Sequence, residues 1–164
     1  MAITVFVETA LQDDVRDLVA ALNAHIEPLS PAEYNYCMTV EDMADDTTTV
    51  FVARDDDNEA VGIGALKDHG NGVGELKRMF TRPEVRGQRV GVRILNAIQD
   101  KARVSGIKRL VLETGTGEGY AGAYRLYENA GFTKCGPVLD YPDSEHSAFF
   151  EKELVMGGFE ELFQ

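Results

Sequence analysis

Cysteine and histidine are scarce in this chain. Its 164 residues hold two cysteines, Cys37 and Cys135, and three histidines, His25, His69 and His146. Two cysteines cannot build a disulfide framework, and they point to a reducing, cytoplasmic setting. The histidines lie far apart and, with so few thiols, give no zinc-ligand spacing. No apolar run approaches the roughly 18 residues that span a bilayer. Residues 1–7 lack a basic n-region and run straight into Glu8, so they read as a strand and not as a signal peptide. Internal repeats, low-complexity tracts and a Gly-x-Ser-x-Gly elbow are absent as well, the last leaving a serine hydrolase unsupported. A mass of 18.0 kDa, with 44% hydrophobic residues, fits one domain over 1–154 with a loosely specified tail at 155–164. That length buries a substantial core without metals or disulfides.

Positive charge is also short, but unevenly so. The net charge of −12 argues against nucleic-acid binding. Yet residues 77–109 hold ten of the sixteen basic side chains and two acids, a local +8, so the remainder carries −20. A basic island in an acidic protein points to an anionic ligand at one place.

The hydrophobic patterning predicts a mixed sheet flanked by helices. Thr9-Ala10-Leu11-Gln12 fits a capping box ahead of a helix marked by Val15, Leu18, Val19, Leu22 and Ile26 and ended by Pro28. Residues 29–47 read as a loop and a short helix. Strands follow at 48–54, 60–67 and 73–81, an antiparallel meander joined by the polar turns at 55–59 and 69–72. Val90, Ile94, Leu95, Ile98 and Ala102 then mark a helix, 109–114 a buried strand, 121–130 a short helix stopped by Gly131, and 132–135 and 147–154 two last strands.

The most informative segment is Arg86-Gly87-Gln88-Arg89-Val90-Gly91-Val92, which joins a strand to the start of a helix. Unpaired amides at a helix N-terminus, with the helix dipole, bind anions. Gly87 and Gly91 let backbone approach a ligand, and Arg86 and Arg89 add charge. The glycine spacing is neither that of a P-loop nor that of a dinucleotide fingerprint.

The longer run from Gly74 to Gly91 resembles motif A of the GNAT acetyltransferases, which ends in Arg/Gln-x-x-Gly-x-Gly/Ala. Arg86 and Gly91 match. Arg89 stands where the pattern has its first glycine, a replacement that helical dihedrals at that position would tolerate. Leu126-Tyr127-Glu128-Asn129-Ala130-Gly131-Phe132 resembles the family's second signature. Gly64-Ala65-Leu66-Lys67, Gly74-Glu75-Leu76-Lys77 and Leu112-Glu113-Thr114-Gly115 look like its YsnE-type branch. The resemblance implies the GNAT acyl-CoA N-acyltransferase fold, an α/β (α+β) arrangement with a central mixed sheet of about seven strands.

It also implies acetyl-CoA as co-substrate, no metal, and transfer to a primary amine of a small molecule by direct attack in a ternary complex. The pyrophosphate would rest on residues 87–92, and the pantetheine arm would run along Met79, Phe80 and Thr81. A backbone amide near Met79 or Phe80 would face the thioester oxygen, and Thr114 would touch the arm where the strands carrying Met79 and Leu112 splay. Glu75 is the candidate general base; its alternative role is an ion pair with Lys77 or Arg78. Period-2 alternation sets Glu75, Lys77 and Met79 on one face. Tyr127 matches the tyrosine that protonates the departing sulfur in many members, with Tyr124 one turn earlier on the same helix.

Tyr36, His69, Tyr141 and Ser147 are weaker candidates for the acceptor pocket, with the loop 115–119 at its mouth. Cys135 reads as a small buried hydrophobe. The acids Glu41, Asp42, Asp45 and Asp46 predict a cationic acceptor such as a polyamine. No membrane association is expected, and a homodimer is left open. The rival function is a non-catalytic acyl-CoA sensor or interaction module on the same fold, which needs neither Glu75 nor Tyr127; acylation of a hydroxyl is a third reading.

Overall fold

In a computed structural model the described residues are 2–36 and 38–154. The tail 155–164 and Cys37 lie outside them. Seven strands form one sheet: β1 (Thr4–Val7), β2 (Thr48–Arg54), β3 (Ala60–Asp68), β4 (Val73–Thr81), β5 (Arg109–Gly115), β6 (Thr133–Cys135) and β7 (Ser147–Glu153). Their order is β1-β2-β3-β4-β5-β7-β6, and β4–β5 is parallel while the other pairs are antiparallel. A parallel pair needs a crossover, which the helix α2 (Val90–Val104) supplies. The other helices are α1 (Asp13–Ile26) and α3 (Ala121–Asn129).

β2 and β3 are buried along most of their length because helices cover both faces of the sheet. On one side Val15, Leu18, Val19 and Leu22 of α1 pack over Val50, Val52, Ile63 and Phe80. On the other Ile94, Leu95, Ile98 and Ala102 of α2, with Tyr127 of α3, pack over Phe51, Leu66, Leu76 and Phe150. Leu18, Ile94, Leu95 and Ile98 are at most 1% exposed, each contributing about 1.5–3 kcal/mol of burial. No helix among the described residues is long and apolar enough to cross a membrane.

Several local expectations need correction. The capping box does not form. Gln12 is the N-cap and its side chain makes no cap bond, while Thr9 Oγ1 accepts from the Leu11 amide instead, 3.1 Å away. Among the described residues of 29–47 the predicted helix is replaced by single turns of 3₁₀ helix, at Ala32–Tyr34 and Asp42–Ala44, too short and too weakly apolar to propagate. Cys135 is half-buried and not sealed in the core. Burial, and then the nearby Glu151 carboxylate, push its thiol pKa up to about 11.

Candidate active site

Two irregularities in β4 open the site. The first is where its parallel pairing stops: the last register pair is Glu75 with Val111, although β4 runs on to Thr81 and β5 to Gly115. The strands part as expected and leave a slot. The second is a bulge. Ala65 pairs with Lys77 and Ile63 with Phe80, so Arg78 and Met79 together oppose Gly64. Arg78 takes a left-handed φ of 58° and reaches Asn23 of α1. The extra residue reverses the alternation. Glu75 and Lys77 share a face, as predicted, but Met79 is turned to the α2 side while Phe80 joins the α1 side. Gly64 accommodates this, since a Cβ there would lie 2.5 Å from Met79 Sδ and 2.8 Å from Ile94 Cγ2.

A cavity of about 700 Å³ occupies the slot. One end is the turn into α2. The first intrahelical bond runs from the Arg93 amide to the Arg89 carbonyl, 3.1 Å, so the amides of Val90, Gly91 and Val92 stand ahead of the ladder. Those residues line the cavity together with Arg86, Gly87 and Arg89. Met79, Phe80, Thr81 and Thr114 line it too. Gln88 does not; its amide is spent on the Val85 carbonyl, 3.2 Å away. Arg89 corrects the other expectation for this turn: at φ 64° and ψ 24° it is left-handed, not helical. It therefore sits in a conformation natural to the glycine of the pattern, at a cost of about 1–2 kcal/mol.

The opposite end holds ionisable groups and rings. Glu75 is 3% exposed. It accepts from Tyr141 Oη at 2.6 Å and from Lys77 Nζ at 3.3 Å, and pairs with His69 Nε2 at 2.9 Å. The Lys77 ion pair thus forms alongside any catalytic role, and Arg78 takes no part in it. Glu113, on β5, also lines the cavity. Burial raises its pKa against the hydrogen bond from Ser147 Oγ to Oε2, 2.7 Å long. Glu113 carries a site signal that sequence reasoning passed over, namely an acid ending the apolar run Leu110-Val111-Leu112. Of the weaker candidates, Tyr36 and Tyr141 line the cavity. His69 and Ser147 sit behind it, each bonded to one of its carboxylates.

Tyr127 also lines the cavity. Its ring packs near Phe132 and Phe150, centroids 5.8 and 6.0 Å away, and burial raises its pKa well above that of a free phenol. Tyr124 is committed elsewhere, donating to the Gly115 carbonyl at 2.9 Å. The acids Glu41, Asp42, Asp45 and Asp46 do not border the cavity. Glu41 pairs with Arg16, and Asp45 accepts from Thr47. Among the described residues no group of three or more metal-ligating side chains is placed to hold an ion.

A bulged strand, unpaired amides at a helix start and a split parallel pair border one cavity, and comparison with known proteins identifies the class of protein. The profile of the Acetyltransferase (GNAT) family matches residues 13–132. An IAA acetyltransferase of Azospirillum brasilense is 38% identical over 153 residues, 93% of this chain and 98% of the relative. YsnE of Bacillus subtilis, an uncharacterized N-acetyltransferase, is 33% identical over 142 residues, 85% and 93% of the two chains. A solved structure from Klebsiella pneumoniae, provisionally assigned as an acyl-CoA N-acyltransferase, superposes with a TM-score of 0.79 at 30% identity, covering 93% of this chain and 98% of that one. The chain belongs to the GNAT acetyltransferase family and is an acyltransferase.

Proposed function

We propose that this enzyme moves an acetyl group from acetyl-CoA to a primary amine of a small molecule, by direct attack in a ternary complex. The observation that carries the reading is one cavity lined by the start of α2, by the carboxylates Glu75 and Glu113, and by Tyr127. The amides of Val90, Gly91 and Val92, with Arg86 and Arg89, hold the pyrophosphate. The bulge at Arg78 and Met79 offers a backbone amide to the thioester oxygen. Losing such a donor costs on the order of 2.7–4 kcal/mol of barrier.

Glu113 receives the acceptor's ammonium group and Glu75 takes its proton. The freed nitrogen attacks the thioester carbon. A C–N bond forms, the C–S bond breaks, and Tyr127 passes its phenolic proton to the departing sulfur. A raised phenol pKa keeps that proton in place until sulfur demands it. The cytoplasmic setting is inferred from the sparse cysteines.

Free-thiol release from acetyl-CoA across a panel of primary amines tests the reading. The expected result is amine-dependent thiol release, with Tyr127→Phe lowering kcat about 10²-fold and leaving CoA affinity nearly intact. CoA binding without turnover on every amine would instead favour an acyl-CoA sensor. Wild-type turnover in Tyr127→Phe would remove that residue from the mechanism.

A further inference from the structure

The acceptor end of the cavity carries more chemistry than amine capture requires. Tyr36 and Tyr141 meet edge-on there, with ring centroids 5.1 Å apart at 72°, and Tyr34, packed near His146 with ring centroids 4.7 Å apart, also lines the cavity. The Tyr141 hydroxyl is held between Glu75 Oε2 and Lys77 Nζ, at 2.6 and 2.9 Å. Its ring is thereby fixed while still bordering the cavity. Half-buried rings fixed on a cavity wall offer faces and edges that a second aromatic group matches better than an alkyl chain of similar size does.

The charges at this end limit how many cationic centres an acceptor carries. Glu75 is balanced by Lys77 at 3.3 Å. Glu113 accepts from the neutral Ser147 hydroxyl and feels the Lys77 charge; among the described residues no cation forms an ion pair with it, so it supplies one anionic anchor. Lys77 and Arg78 border the same space, so a second ammonium on the acceptor meets like charge. The acids that favoured a polycation lie outside the cavity. Deepening the amine-acetylation reading above, and resting on it, we infer that the acceptor is an aromatic monoamine. Its ring stacks in the Tyr34–Tyr36–Tyr141 wall and its single ammonium sits on Glu113.

The test compares kcat/KM for three acceptors under saturating acetyl-CoA: phenethylamine, hexylamine and spermidine. Phenethylamine should exceed hexylamine by about tenfold, the size of effect that one aromatic pair supplies, and spermidine should fall below both. Tyr36→Leu should bring the phenethylamine-to-hexylamine ratio close to one, with CoA binding by the same variant showing that it is folded. Hexylamine or spermidine matching phenethylamine, or a ratio that survives Tyr36→Leu, overturns the aromatic assignment while leaving amine acetylation standing. Acetylation of no amine at all overturns both.

Discussion

Glu75 and Glu113 are two carboxylates in one cavity with opposite surroundings. Glu75 is held by a histidine, a lysine and a tyrosine. Glu113 has one serine, and burial raises its pKa. The folded chain thus holds the Glu113 proton more tightly than the unfolded chain does. Stability therefore declines as pH rises from the ordinary glutamate value of 4.5 through the raised folded value. Glu113→Gln removes that loss. Thermal melts at neutral pH should show the variant more stable than wild type, while its KM for the acceptor rises. Glu75→Gln should act differently, flattening the acidic limb of the kcat/KM profile because the proton acceptor is gone. A less stable Glu113→Gln, or an acidic limb that survives Glu75→Gln, contradicts this division of roles. Of the two, Glu75 was legible in the sequence because a motif surrounds it. Glu113 was not, because the strand pattern around it reads as core.

The elements themselves were largely legible: β2, β4 and the start of α2 fall where β-branched runs and helical spacing put them. What escaped the pattern was the bulge. One left-handed residue, Arg78, sends Met79 to the opposite face, and no periodicity signals an inserted residue in advance. Arg89 escaped for a related reason, since an arginine does not advertise a left-handed backbone. The junction of β1, α1 and β2 has its own hidden device. Arg54, 7% exposed, is bonded to both oxygens of Glu8 at 2.7 and 2.8 Å and to Asp14 at 2.7 Å. These bonds lower the pKa of both acids. Their stabilisation is present above the ordinary values of 4.5 and 3.8 and is lost as pH falls through the depressed folded values. Arg54→Met should cost about 2 kcal/mol at neutral pH in urea melts. That is less than for a fully buried pair, because Glu8 and Asp14 reach water. The deficit should shrink on acidification; a deficit independent of pH would contradict the ion-pair account.

At the scale of the whole molecule, charge and architecture point to the same place. The +8 island of residues 77–109 runs from within β4 through the turn and α2 to the first residue of β5, and four of its cations, Lys77, Arg78, Arg86 and Arg89, line the cavity, so an anionic ligand is drawn there while the acidic remainder repels it. The island and the glycine-rich turn marked in the sequence the residues that line one end of the cavity. The acceptor end draws on Tyr34 and Tyr36, β5 and the segment around Tyr141, which only the fold brings together. Its acids were misjudged because proximity in sequence to Tyr36 did not place residues 41–46 at the cavity. The central claim is that the start of α2 is the cradle for the CoA pyrophosphate. Titration calorimetry of CoA into wild type and into Arg86→Ala/Arg89→Ala tests it most directly. The account predicts binding by wild type, a loss of about tenfold or more in the double variant, and a gap that narrows as salt rises. Equal CoA affinity in the two proteins would contradict it.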